Sequence, residues 1–478
     1  MHTWIAVRDP ADYGQLDNIL SPEFSPKAVA ELLEQHLSPN VKGILAEYPY
    51  VDKDYRSTYY GFYAKKALRY DPFCFRLHFF TDRVSLSSDL ELQTTSASNR
   101  LSDDYFGYMV IRPTGVTPIG RTVISIDAVN GFSGAVIDAE YHVHVLGHRL
   151  VVRGFPFMQQ HTDIAVCAHA ACWSILRHYS ERYSHYAERL VYDITKMAST
   201  SEPGGISPSR GLAITQASEV FSKAGMFPDL YARRDFKDNF DRMLAAYVES
   251  GFPVFVSLAK KQHAIAVIGH GSPDRNLLQS STNLQYCWDA TNSLCVVDDN
   301  LMPYQMIDGL QPNLYKIDEI DGFIVPLPEK IYFTAEAVEY HIDDAIENGV
   351  AGLTFGHLIS PIARYFITTA ATLKLYFREN KSQFPSDLYL ALIELALPQF
   401  VWVVELSSLA SWQKNSFNTL MLLDATASAL DVFPYIVVTD RNEALIYDRS
   451  LGSDVGVITF TTPLTQMSEL RKNLTFRF

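Results

Sequence analysis

Two apolar runs, each with a polar group at one end, constrain this chain more than any other feature. The first is Gln262-His263-Ala264-Ile265-Ala266-Val267-Ile268-Gly269, and the second is Leu294-Cys295-Val296-Val297-Asp298-Asp299-Asn300. Short apolar runs bounded by turn residues read as buried strands. Buried strands must pair, because backbone N–H and C=O groups removed from water need partners. A hairpin of these two sets the imidazole that opens one strand beside a carboxylate that ends the other. Asp298 is the strand-end choice and Asp299 its competitor. Neighbouring strand residues point to opposite faces, so the pattern predicts that only one of them meets His263.

The stretch upstream supplies a third group. It runs Gln159-Gln160-His161-Thr162-Asp163-Ile164-Ala165-Val166-Cys167-Ala168-His169-Ala170-Ala171-Cys172-Trp173. Cys167 falls where a polar loop turns into a helix predicted over about Cys167 to Tyr183. The helix N-terminus favours the thiolate, the nucleophilic form, through its dipole and free N–H groups. Ala168, Ala170 and Ala171 leave room over the sulfur. A cysteine nucleophile needs a base, and the base needs an orienting partner. Cys167, His263 and Asp298 fill those roles. Gln160, upstream, can join the backbone N–H of Cys167 in an oxyanion hole, with Gln159 as the alternative. Cys172 lies deeper in the helix, away from its N-terminal amides. His270 stands between Gly269 and Gly271, where a turn role is expected.

With 478 residues, the chain has room for two to four domains. Residues 1–154 read as a β-rich N-terminal domain after an opening helix at Ser25-Pro26, with strands at Tyr59–Tyr63, Phe75–Phe80, Tyr105–Ile111, Thr122–Ile126 and Tyr141–Val145. Residues 155–330 read as helices followed by hairpin strands, an α+β order. The helices are expected at Cys167–Tyr183, Leu212–Ala224 and Asn239–Ser250, and the strands at Pro253–Leu258, His263–Gly269 and Leu294–Asp298. Residues 331–478 read as a further α+β unit, with helices at Ala335–Asn348 and Ser386–Leu397.

Composition limits the classes of function. The formal net charge is −14, so a nucleic-acid partner is not expected. No run of some 18 uncharged apolar residues is present, so no membrane-spanning helix is expected. Met1-His2-Thr3-Trp4-Ile5 has no secretory-signal pattern. The five cysteines show no Cys-x-x-Cys spacing, which argues for a reducing, cytoplasmic setting and against a disulfide framework or zinc site. His142 and His144 share a strand face without a third ligand at clear spacing, and a solvated face is the expectation. No metal or cofactor is expected.

The order and contexts of Gln160, Cys167, His263 and Asp298 resemble the papain-like cysteine peptidases, nearest to the bacteriocin-leader-processing peptidases and their peptidase-like relatives. In that group a Gln precedes Cys-Gly-x-Ala at a helix start; here the tetrad is Cys167-Ala168-His169-Ala170. Gly204-Gly205-Ile206-Ser207-Pro208 is similar to the group's entry to its next helix. The resemblance covers roughly residues 155 to 330. It implies a papain-like domain and a cysteine peptidase acting on peptide or isopeptide bonds through a Cys-His-Asp triad and an acyl-enzyme. Implied partners are a protein or peptide substrate and a regulatory protein that restrains the enzyme. Acyl transfer to an amine, glutamine deamidation and a peptide-binding module without catalysis stay open as alternatives.

Overall fold

The computed structural model describes residues 2–81, 101–160, 167–198, 212–291, 293–308, 314–428, 431, 433–447 and 455–477. Helix and strand are mixed along the whole chain. The His161–Val166 loop and the Gly204–Pro208 motif lie outside the described residues.

The first stretch builds an antiparallel sheet in sequence order from β1 (His2–Ala6), β2 (Gly43–Tyr50), β3 (Cys74–Phe80), β4 (Tyr105–Ile111) and β5 (Ile119–Ile124). Helix α1 (Pro26–His36) begins at the expected proline. Ser25 does not cap it: this residue is left-handed, and its hydroxyl donates to the Gly115 carbonyl. A short strand, β6 (Gly134–Val136), and a hairpin of β7 (Ala139–Val145) and β8 (His148–Gly154) follow. In β7, Tyr141, Val143 and Val145 point inward, while His142 and His144 face solvent.

Tyr59–Tyr63 is not a strand. Helix α2 (Lys53–Gly61) occupies most of it. The Asp52 carboxylate accepts from the Tyr55 N–H at 2.9 Å and caps that helix. One capping bond and the burial of Tyr55 and Thr58 on one helical face outweigh the β preference of the tyrosines.

The central stretch opens with α3 (Cys167–Arg182), α4 (Val191–Ala198), α5 (Ile214–Lys223) and α6 (Phe240–Glu249). Its strands are β9 (Phe227–Ala232), β10 (Val254–Leu258), β11 (His263–His270), β12 (Gln285–Tyr286), β13 (Leu294–Val297), β14 (Gln305–Ile307) and β15 (Gly322–Leu327). They form a sheet in the order β14-β13-β11-β10-β15-β9, whereas β12 joins the third sheet. Helix α3 packs on β11.

The last stretch contains α7 (Ala335–Asn348), α8 (Ala370–Glu379) and α9 (Ser386–Glu394). Its third sheet runs from β12 through β16 (Ile362–Thr369), β17 (Phe400–Ser407), β19 (Thr419–Asp424), β20 (Tyr435–Thr439) and β21 (Glu443–Tyr447) to β22 (Val455–Thr459). The short strands β18 (Ser416–Phe417) and β23 (Met467–Ser468) pair with each other. Strand β24 (Thr475–Arg477) returns to pair with β6, which also pairs with β11. One hydrophobic core therefore runs through all three stretches, from Ile5 to Leu474. Among the described residues, no helix is long and apolar enough to cross a membrane.

Helix α3 is tied to α2 by buried polar groups. The Asp54 carboxylate accepts from Trp173 Nε1 at 2.9 Å and from Arg177 Nη2 at 2.9 Å. Both partners and Asp54 are almost fully buried. Removing Asp54 leaves the buried Trp173 N–H without its acceptor and Arg177 with Glu188 as its other carboxylate. Asp54→Ala is expected to lower stability by about 3–5 kcal/mol, measured by urea denaturation.

Candidate active site

The site is assembled by α3, β11 and the turn after β13. Cys167 is the first residue of α3, so it sits among the N–H groups that no helix carbonyl takes up. Of the five cysteines, it alone is not buried. Cys172 lies in the core, where burial pushes its thiol well above the usual range. Burial raises the thiols of Cys74, Cys287 and Cys295 in the same way.

His263 opens β11 immediately after Gln262, which takes a left-handed conformation at the end of the β10–β11 turn. The register places Ala266 opposite Val297. Continued past the end of β13, that register sets Asp298 opposite Ile265, on the face that His263 shares. His263 Nε2 lies 3.0 Å from Asp298 Oδ1. The same carboxylate accepts from the Asn300 N–H at 2.9 Å and from the Tyr315 hydroxyl at 2.9 Å. Burial acts to raise the Asp298 carboxyl, but its bond to His263 and those two donors hold it below the usual carboxylate range.

The imidazole responds in the opposite sense. Burial disfavours its charge, yet its bonds to Asp298 and to the Cys167 thiol raise it to about 10. With Nε2 turned to Asp298, Nδ1 is the nitrogen left for sulfur. The arrangement favours a protonated imidazole beside the Cys167 thiol.

Asp299 departs from the alternation argument. Strand β13 ends at Val297, and Asp298 accepts from Leu301 N–H through its backbone in a turn. The turn rolls Asp299 back, so its Oδ1 lies 3.9 Å from His263 Nε2. Both carboxylates meet the imidazole. Neither oxygen of Asp299 has a hydrogen-bond partner among the described residues. Burial, and then the charge of Asp298, push the Asp299 carboxyl up to about 7.

Gln159 and Gln160 now separate. The Gln159 side chain accepts from the Ile119 N–H at 3.0 Å, which ties it to β5 through its oxygen. The Gln160 amide donates to Asn300 Oδ1 at 3.0 Å, at the edge of the carboxylate turn. Buried Arg112 holds this approach by donating to the Gln159 carbonyl at 3.1 Å. His270 is at the far end of β11, with Nε2 2.8 Å from Glu249 Oε2 and Nδ1 donating to the Gly271 carbonyl at 2.7 Å. Tyr315 and Asn300 were not marked by sequence. Tyr315 carries no local signal, whereas Asp298-Asp299-Asn300 is at least a recognisable turn composition.

His263, Asp298 and Asp299 also form a group whose donor atoms lie within 4.8 Å of one another. Their existing bonds argue against a metal there. Both Asp298 oxygens already accept hydrogen bonds, and Nε2 of His263 faces one of them. Only Asp299 is uncommitted. No protein-family model matches the chain, and no curated protein matches it.

Two measurements follow from this geometry. Iodoacetamide at neutral pH is expected to label Cys167 ahead of the four buried cysteines, with Asp298→Asn slowing that labelling by roughly tenfold; peptide mapping reads both. Asp299 carries a pH signature. Its folded pKa is raised, so the unfolded chain loses this proton first, and stability is lost as pH climbs from about 4 through about 7. Asp299→Asn is expected to raise stability at pH 8 by up to about 4 kcal/mol, with the gain vanishing near pH 4; denaturation at both pH values checks it.

Proposed function

We propose that this chain is a cysteine peptidase whose central stretch is a papain-like domain. One observation carries the reading: the solvent-accessible cysteine, at a helix start, interacts with an imidazole held at 3.0 Å by a buried aspartate. The packing of α3 on an antiparallel sheet that presents His263 supports the fold assignment.

In this reading the Cys167 thiolate attacks a peptide or isopeptide carbonyl carbon. The tetrahedral oxyanion is stabilised by the Cys167 N–H and the Gln160 amide. His263 gives its proton to the departing amine, leaving a thioester on Cys167. It then takes a proton from water, which attacks the thioester and releases the acid and the thiolate. Asp298 keeps the ring oriented and offsets its charge, and Tyr315 fixes Asp298 in turn.

A second reading uses Asp299. An uncommitted carboxylate beside the imidazole can accept from an incoming amine, which would make the thioester's acceptor an amine rather than water. Release of a trapped Cys167 thioester by water or by a primary amine separates the two.

The decisive comparison is of peptide termini in a cell lysate treated with wild-type or Cys167→Ala protein. New termini are expected with the wild type, and a loss of about 10⁴-fold or more in their rate of formation with the variant. Identical termini in both samples would count against a peptidase.

A further inference from the structure

The segment that leads into the thiol site is laid along the edge of the N-terminal sheet. Phe157 and Thr122 exchange both backbone hydrogen bonds, at 2.8 and 2.9 Å. Two residues on, the Gln159 N–H donates to the Ile119 carbonyl at 3.1 Å, and the Gln159 side chain accepts from the Ile119 N–H. The backbone that carries Gln160 is therefore placed by β5.

One side chain closes this arrangement at its end. Arg112 directly follows β4 and is 1% exposed. Its Nη2 donates to the Thr117 carbonyl at 2.6 Å and to the Gln159 carbonyl at 3.1 Å, with the Gln160 carbonyl at 3.4 Å. Thr117 lies in the turn between β4 and β5, whereas Gln159 and Gln160 lie on the approach to Cys167. A single guanidinium thus ties the turn to the approach. The turn is itself anchored: the Gly115 N–H donates to the Glu23 carbonyl at 2.9 Å, and the Gly115 carbonyl accepts from the Ser25 hydroxyl. The Arg112 stem passes over Gly120, where a Cβ would lie 3.1 Å from its Cγ. Burial disfavours the charge of Arg112, and a buried ionic group is weak ground for stability. What it supplies here is a fixed place for the Gln159-Gln160 backbone.

The same backbone bears the amide assigned to the oxyanion. Gln160 Nε2 donates to Asn300 Oδ1 at 3.0 Å, and the Asn300 N–H donates to Asp298 Oδ1, the oxygen that holds His263. Gln160 therefore stands at the edge of the thiol site, linked through Asn300 to its carboxylate. An amide stabilises a developing oxyanion only where its position is fixed beforehand.

We infer that Arg112 is a positioning residue for Gln160, so that the N-terminal sheet, through this guanidinium, sets the oxyanion donor of the thiol site. The inference rests on the peptidase reading, in which Gln160 has that role. It makes the N-terminal stretch a working part of acyl transfer.

The test compares two reagents for one sulfur, on the full chain. With p-nitrophenyl acetate, the Cys167 thiolate attacks the acetyl carbonyl, passes through an oxyanion and expels p-nitrophenolate, leaving a thioester. With iodoacetamide the same thiolate displaces iodide, and no oxyanion forms. Arg112→Met keeps the apolar stem. It is expected to slow acetylation of Cys167 by about tenfold or more, with alkylation within about twofold of the wild type. Gln160→Ala is expected to show the same split, and the double variant to lose little beyond the larger single loss. If melting shows Arg112→Met to be unfolded, Arg112→Lys, which loses the planar fork, is expected to give the split at severalfold. Equal slowing of both reagents would reduce Arg112 to a structural role and overturn the inference. So would wild-type acetylation in whichever Arg112 variant is folded while Gln160→Ala is slow, an outcome that leaves the peptidase reading standing. Acetylation undiminished by Gln160→Ala removes the oxyanion role of Gln160. No acetylation of wild-type Cys167 removes the peptidase reading itself, and the inference falls with either.

Discussion

Strand β11 has to satisfy three neighbours at once. It pairs with β10 over His263 to Val267, with β13 on its other edge, and with β6 at its last two residues. The β10 pairing ends at Val267, which leaves that edge to β6, while the pairing with β13 shifts register between Val267 and Gly269. Gly269 is obligatory there, since a Cβ would meet the Ala135 carbonyl oxygen at 2.0 Å. Everything at the thiol site inherits this arrangement. If β11 slipped by one residue, His263 would turn to the other face and leave both Cys167 and Asp298.

The site divides labour between two adjacent carboxylates. Asp298 is saturated with donors and stays ionised, so it can hold a charged imidazole. Asp299 has no donor, and burial with a like charge beside it keeps its proton to near neutrality. Two identical side chains thus differ in protonation because of what surrounds them. The pattern is one in which environments push neighbouring acids apart, as expected where proton transfer is organised.

How much of this was legible depends on the range of the signal. Strands β11 and β13 were readable because nearly every residue in them is buried, which leaves apolar runs, and helix α3 was readable from the small residues that follow a polar loop. The convergence of Cys167, His263 and Asp298 follows from that record and a single hairpin. Asp299 was misplaced because alternation was extended beyond the last paired residue, where a turn takes over. Helix α2 was hidden because one cap at Asp52 outweighed a run of tyrosines. Helix α8, beginning at the Thr369 cap, left no clear apolar period across Ala370-Ala371-Thr372. Tyr315 and the role of Arg112 were beyond reach, since their partners are far apart in sequence and carry no local spacing.

The pairing of β24 with β6 has a kinetic side. Arg477 donates to the Val129 carbonyl at 3.0 Å, a contact that spans 348 residues of chain. Closing so large a loop is entropically costly before any contact repays it, and such contacts slow folding. Until it closes, β6 offers one unpaired edge beside His270. The sheet that carries His263 at one end is thus closed at the other by a segment more than 300 residues away along the chain.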